Sequence, residues 1–155
     1  MVTKKHVIRY LKGTLDYGLM YVTNHEFGLY GYSYSNWAKN ILDQKSTSTY
    51  CFSLGSSMVS WSSRKQSCVA LSMAEAEYVA ACAACREAVW LRKMLFGLFG
   101  HKLDVTCIWC DNQSCMKLSE NPMFHDRSKH IEIKYHYIRD MVQRGAVRLQ
   151  YVITE

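Results

Sequence analysis

Proline is almost missing from this chain: there is one in 155 residues, at Pro122. Only eight residues are glycine and no low-complexity stretch occurs, so there is no room for a long flexible linker. Long apolar runs are missing too. None approaches the ~20 residues of a membrane-spanning helix, and the basic N-terminus is not followed by the apolar core of a secretory leader. The chain is therefore expected to be intracellular, cytoplasmic or nuclear, with no membrane partner. Carboxylates are scarce: 13 Asp and Glu stand against 19 Lys and Arg, a formal net charge of +6. That balance favours an anionic partner such as nucleic acid, although a solvated basic surface accounts for it equally well.

What is present describes an ordinary globular protein. Hydrophobic residues make up 49% and charged residues 21%, enough for a real core and too apolar for disorder. The seven cysteines, with no leader, read as free thiols in a reducing compartment. Cys82-x-x-Cys85 and Cys107-x-x-Cys110 imitate a zinc-ribbon spacing. The first pair falls in an expected helix, where positions three apart share a face. The second falls in an expected strand, where an odd offset sends side chains to opposite faces. One tetrahedral zinc site would need all four to converge, so the cysteines are read as small buried apolar residues.

Periodicity predicts a short basic amphipathic helix over 2–12, with Val7, Tyr10 and Leu11 on one face, and an extended piece over 17–22. Three strands follow, over 27–34, 46–54 and 58–63, the last two joined tightly through Gly55-Ser56-Ser57. A long helix is expected over 73–96. Ser72 is a good N-cap, and Glu75 completes a capping box by reaching back to the Ser72 amide. A buried strand at 105–110, a short helix at 112–118, a second amphipathic helix at 130–144 and a last strand at 147–153 complete the order. The strand–helix–strand crossover favours a parallel pairing, hence an α/β fold with a mixed sheet covered by helices.

Acidic residues at element ends carry the chemistry. Glu77 heads a stripe of Ala80, Ala81, Ala84, Ala88, Leu91 and Leu95 suited to packing on a sheet. A carboxylate aimed that way is costly unless a cation meets it; the alternative is an exposed first-turn Glu favoured by the helix dipole. Asp111 closes a strand and opens a helix, so it is either an N-cap or a metal ligand. Together, Glu77 and Asp111 form a plausible pair for divalent metal. Where a third acid would be expected, Gly31-Tyr-Ser-Tyr-Ser-Asn-Trp37 carries Tyr34 and Asn36. Trp61, between Ser60 and Ser62, reads as a core residue. Arg64, Lys65, Arg127 and Lys129 are basic loop residues that are read either as phosphate contacts or as solvated loop charge.

Six segments carry a family resemblance: Gly31-Tyr-Ser-Tyr-Ser-Asn-Trp-Ala38, 45–55, Ser60-Trp-Ser-Ser-Arg-Lys-Gln66, Ala70-Leu-Ser-Met-Ala-Glu-Ala-Glu-Tyr78, Cys110-Asp-Asn-Gln-Ser114 and Lys129-His-Ile-Glu-Ile-Lys-Tyr-His136. In order and spacing they resemble the ribonuclease H domain of copia-type retrotransposon polyproteins. Residues 5–18 resemble the segment that joins the reverse transcriptase to that domain. The resemblance implies a connection segment over 1–24 and a ribonuclease H-like domain over 25–155, with a five-stranded mixed sheet flanked by helices. It also implies four carboxylates holding Mg²⁺ or Mn²⁺ to cut the RNA strand of an RNA–DNA hybrid.

Carried over, that site is damaged. The first acid falls at Tyr34 and its neighbour at Asn36; the helix Glu matches Glu77, with Glu75 as the alternative, and the strand-end acid matches Asp111. The fourth acid falls in a last helix beyond Glu155, which the chain is expected to lack. Glu132 is read as structural, and the histidines His125, His130 and His136 as surface or phosphate-contact residues rather than metal ligands. The metals are therefore not expected to bind stably. The resulting reading is an inactive retrotransposon-derived protein that binds a host protein, or a second copy of itself, through the face the last helix leaves bare. A metal-dependent ribonuclease and a non-catalytic binder of RNA–DNA hybrid are the rivals.

Overall fold

The computed structural model describes residues 2–23, 27–37, 43–120 and 132–153. The first helix, α1, spans Val2–Gly13, and its side chains from Lys4 to Lys12 all face solvent. The strands are β1 (Leu29–Asn36), β2 (Thr47–Leu54), β3 (Ser57–Lys65), β4 (Thr106–Cys110) and β5 (Val147–Tyr151). The remaining helices are α2 (Met73–Phe99), α3 (Gln113–Glu120) and α4 (Glu132–Gln143). The five strands form one mixed sheet in the order β3-β2-β1-β4-β5. The hairpins β1–β2 and β2–β3 are antiparallel, whereas β1–β4 and β4–β5 are parallel. The parallel pairs need long crossovers, and α2 and α4 supply them.

Helix α2 is the centre of the fold. It starts where Ser72 Oγ accepts the Glu75 amide at 3.2 Å and ends at Gly100, whose φ of 65° suits a residue without Cβ. The expected capping box is corrected in one respect: Glu75 Oε2 accepts the Leu71 amide at 2.8 Å, one residue beyond the Ser72 amide assigned to it. The stripe Ala80, Ala81, Ala84, Ala88, Leu91 and Leu95 is buried as expected. It packs on Phe52 of β2 and Ile108 of β4. Small residues let the helix lie close to the sheet, and Gly31 of β1 serves the same end, because a Cβ there would stand 2.4 Å from the Phe52 ring.

Strand alternation divides the sheet into two faces. Leu29, Gly31, Ser33 and Ser35 of β1 turn towards α2, together with Phe52 and Ile108. Tyr32 and Tyr34 turn the other way, and there Tyr32 stacks on Trp109 at 5.1 Å between ring centroids. Trp61 stands on this open face at 70% exposure, so the core position expected for it is corrected. Edge strand β3 has α2 above its other face, which takes Ser60 and Ser62 inward and leaves Trp61 outward. The extended piece over 17–22 is irregular rather than a strand, and Tyr21 Oη and the Val22 amide tie it to Met58 and Ser56. No described helix is long and apolar enough to cross a membrane.

Candidate metal-site cleft

Glu77 sits in the first turns of α2, directly over β1. It is 2% exposed, and its Oε1 accepts the Ser35 amide at 2.7 Å. Its other oxygen, Oε2, is buried with no hydrogen-bond partner. A dry carboxylate is hard to ionise, so burial raises its pKa from 4.5 to about 8; the Ser35 amide opposes this and the nearby Asp111 charge adds to it. The exposed first-turn reading of Glu77 is thereby excluded.

Asp111 follows β4. The short helix after it is capped by its neighbour: Asn112 Oδ1 accepts the Cys115 amide at 3.1 Å. The N-cap reading of Asp111 therefore does not hold, and its carboxylate makes no hydrogen bond or ion pair with the described residues. Glu77 and Asp111 line one cleft of about 300 Å³ with Tyr34, Asn36, Trp37 and Asn112. The two acids singled out in the sequence and the two positions singled out for lacking acids thus meet in one place. Tyr34, 48% exposed, also lines a second hollow of about 220 Å³ on the open face, floored by Tyr32 and Trp109.

The donor set does not fit a pair of divalent ions. Glu77 and Asp111 carry at most two negative charges against four positive ones. Asn36 and Tyr34 add only neutral oxygens. Among the described residues no three His, Cys, Asp or Glu side chains converge on a common point. Cys107 and Cys110 take opposite faces of β4, half-buried and buried respectively.

Of the basic residues, Arg64 and Lys65 lie in β3 rather than in a loop. Alternation separates them: Arg64 pairs with Ser48 on the α2 side, while Lys65 turns outward and bonds Asp43 at 2.6 Å. Arg127 and Lys129, like His125 and His130, lie outside the described residues. Sequence reasoning missed Gln66. Buried behind Glu77, it donates through Nε2 to Ser48 Oγ at 2.8 Å, Ala76 O at 2.9 Å and Ser35 Oγ at 3.4 Å, lashing β1 and β2 to the start of α2. A Gln following Arg64 and Lys65 carries no periodic signal that would reveal this.

Comparison with known proteins agrees with the resemblance. No family model matches. The chain is 38% identical over 150 residues to the retrovirus-related Pol polyprotein from transposon TNT 1-94 of Nicotiana tabacum, covering 97% of this chain and 11% of that protein. It is 40% identical over 150 residues to the Pol polyprotein from transposon RE2 of Arabidopsis thaliana, covering 97% of this chain and 10% of that protein. The chain thus spans about a tenth of the length of the curated relatives it matches. Among solved structures, LC11-RNase H1, isolated from compost, superposes with a TM-score of 0.60 at 11% identity, covering 83% of this chain and 86% of that one. The same enzyme in complex with an RNA/DNA hybrid gives 0.55 at 8% identity, covering 81% and 85%. Over nearly its whole length the chain is thus similar to a stretch of the Pol polyproteins of plant transposons, and it carries the ribonuclease H fold.

Proposed function

We propose that this chain is a ribonuclease H-like binding module that has lost two-metal catalysis. One observation carries the reading: the cleft holding Glu77 and Asp111 is completed by Tyr34 and Asn36, which supply no charge. A two-metal phosphodiesterase needs enough negative oxygens to hold both cations against solvent. Residues 1–24 act as a connection segment and 25–155 as the module; the solvent-facing side chains of α1 suit the first assignment. The binding surface is the open sheet face, where Tyr32, Tyr34 and Trp61 expose aromatic area of the kind that marks contact sites with a host protein or a second copy.

Binding of an RNA–DNA hybrid without cleavage is the second reading. It draws on the solved LC11-RNase H1 complex with RNA/DNA hybrid and on the exposed Arg64. Lys65, Arg127 and Lys129 are the further contacts assigned to it.

The test is a hybrid-cleavage assay of the full chain in Mg²⁺ and in Mn²⁺, beside calorimetric titration with Mn²⁺. No cleavage and less than one ion bound at millimolar Mn²⁺ are expected. Tyr34→Asp with Asn36→Asp should raise Mn²⁺ affinity at least ~10-fold by adding two anionic ligands. Efficient cutting by the unaltered chain, or two tightly bound ions, would overturn the reading.

A further inference from the structure

A third cavity lies away from the cleft, between α2 and the β2–β3 hairpin. Its volume is about 240 Å³, and it is lined by Ser48 and Tyr50 of β2, Ser62 and Arg64 of β3, and Ala83, Arg86 and Glu87 of α2. At roughly 1.5 Å per residue, Arg86 stands about 13 Å along the helix axis from Glu77. The cavity exists because the facing side chains are small: Ala83 on the helix, Ser48 and Ser62 on the strands.

Its hydrogen bonding is arranged so that donors remain free. The Glu87 carboxylate is already engaged, Oε1 by Ser60 Oγ at 2.6 Å and Oε2 by Tyr50 Oη at 3.3 Å. Arg64 and Arg86 form no ion pair among the described residues. Ser48 Oγ accepts from Gln66 at 2.8 Å, which leaves its own proton to give. Two arginines and a hydroxyl donor thus line one hollow, with the single acid in its wall hydrogen-bonded to neutral donors. Guanidinium forks match the oxygens of phosphate and bind them through short charge-assisted hydrogen bonds.

We infer that this cavity is a phosphate-oxyanion site, with Arg64 and Arg86 as its two arms. Its occupant is either a backbone phosphate of a nucleic acid or free inorganic phosphate. The site does not depend on the state of the metal-site cleft, so it stands or falls separately from the proposed loss of catalysis. The hollow is larger than one phosphate group, leaving room for water or part of a sugar.

The experiment measures binding of the full chain to a short RNA–DNA hybrid across a salt series, and to inorganic phosphate by calorimetry. Arg64→Gln and Arg86→Gln are compared with Lys93→Gln, which removes the same charge from an exposed position on α2. Ala83→Leu fills the hollow without changing charge, and thermal melts confirm folding of each variant. A backbone phosphate predicts a hybrid affinity at least ~5-fold weaker in each Arg variant, with a log–log salt slope shallower by about 0.9. It also predicts a comparable loss in Ala83→Leu and little change in Lys93→Gln. If only phosphate binding falls, the occupant is the free ion and the site is still supported. If the Arg variants behave as Lys93→Gln does, or the unaltered chain binds neither probe, the charge is diffuse and the proposal is overturned.

Discussion

The two faces of the sheet are made by the same strands and the same alternation, yet they differ in almost every physical respect. Under α2, Phe52 and Ile108 are fully buried, and some of the polar groups among them are held by bonds such as those of Gln66 Nε2 and the Ser35 amide, while Glu77 Oε2 and Ser33 Oγ are left without a partner. On the open face Tyr32, Tyr34 and Trp61 stand in solvent. The larger aromatics are on the wetter side. A strand's alternation settles which residues share a face; the layer packed above settles which face becomes core. The same comparison explains the cleft. Ser35 points under α2 and can meet Glu77 through its amide, while Tyr34, one residue earlier, turns outward at the rim.

The largest expected contrast is between the faces themselves. Phe52→Ala removes a ring packed against Gly31 and α2 and should cost about 3–5 kcal/mol in urea unfolding. Trp61→Ala should cost under about 0.5 kcal/mol. A large loss at Trp61 would mean that the open face is covered in solution, which would sharpen the case for a self-associating surface.

Next comes a pH effect from the buried acid. The Glu77 carboxyl is raised from 4.5 to about 8, so between those values the folded chain keeps a proton that the unfolded chain has lost. The resulting stability is fully present below pH 4.5 and is lost as the pH rises through about 8. At about 1.4 kcal/mol per pKa unit the shift amounts to a few kcal/mol. Thermal melts from pH 4.5 to 9 should show this decline, and Glu77→Gln should flatten it. A decline that Mg²⁺ abolishes would reveal a cation held by the ionised form, contrary to the proposal of a failed metal site.

The smallest effect concerns the start of α2. Ser72→Ala removes the acceptor for the Glu75 amide and should cost about 1 kcal/mol. No measurable loss would mean that Glu75, through the Leu71 amide, carries the helix start without it.

Much of this was legible in the residues. The element order, the long helix with its Ser72 start and the alanine stripe follow from periodicity and capping chemistry, which are local. Glu77 stood out because a carboxylate heading an apolar stripe needs a partner. Asp111 was ambiguous between cap and ligand, because both roles favour an acid at a strand-to-helix junction. Trp61 was misread because an alternating strand does not disclose which of its faces is covered. Gln66 gave no sign, since its partners lie far from it in the chain.

By itself, the sequence determined the class of fold and singled out Glu77 and Asp111, with Tyr34 and Asn36 where the resemblance leads one to expect acids. Those are matters of residue type and spacing. Only the tertiary structure decided that Glu77 is dry with an unpartnered oxygen, that Asn112 rather than Asp111 caps its helix, and that Arg64 and Arg86 line one hollow while Lys65 turns away. Burial and convergence depend on which elements pack together, and no local pattern carries that information.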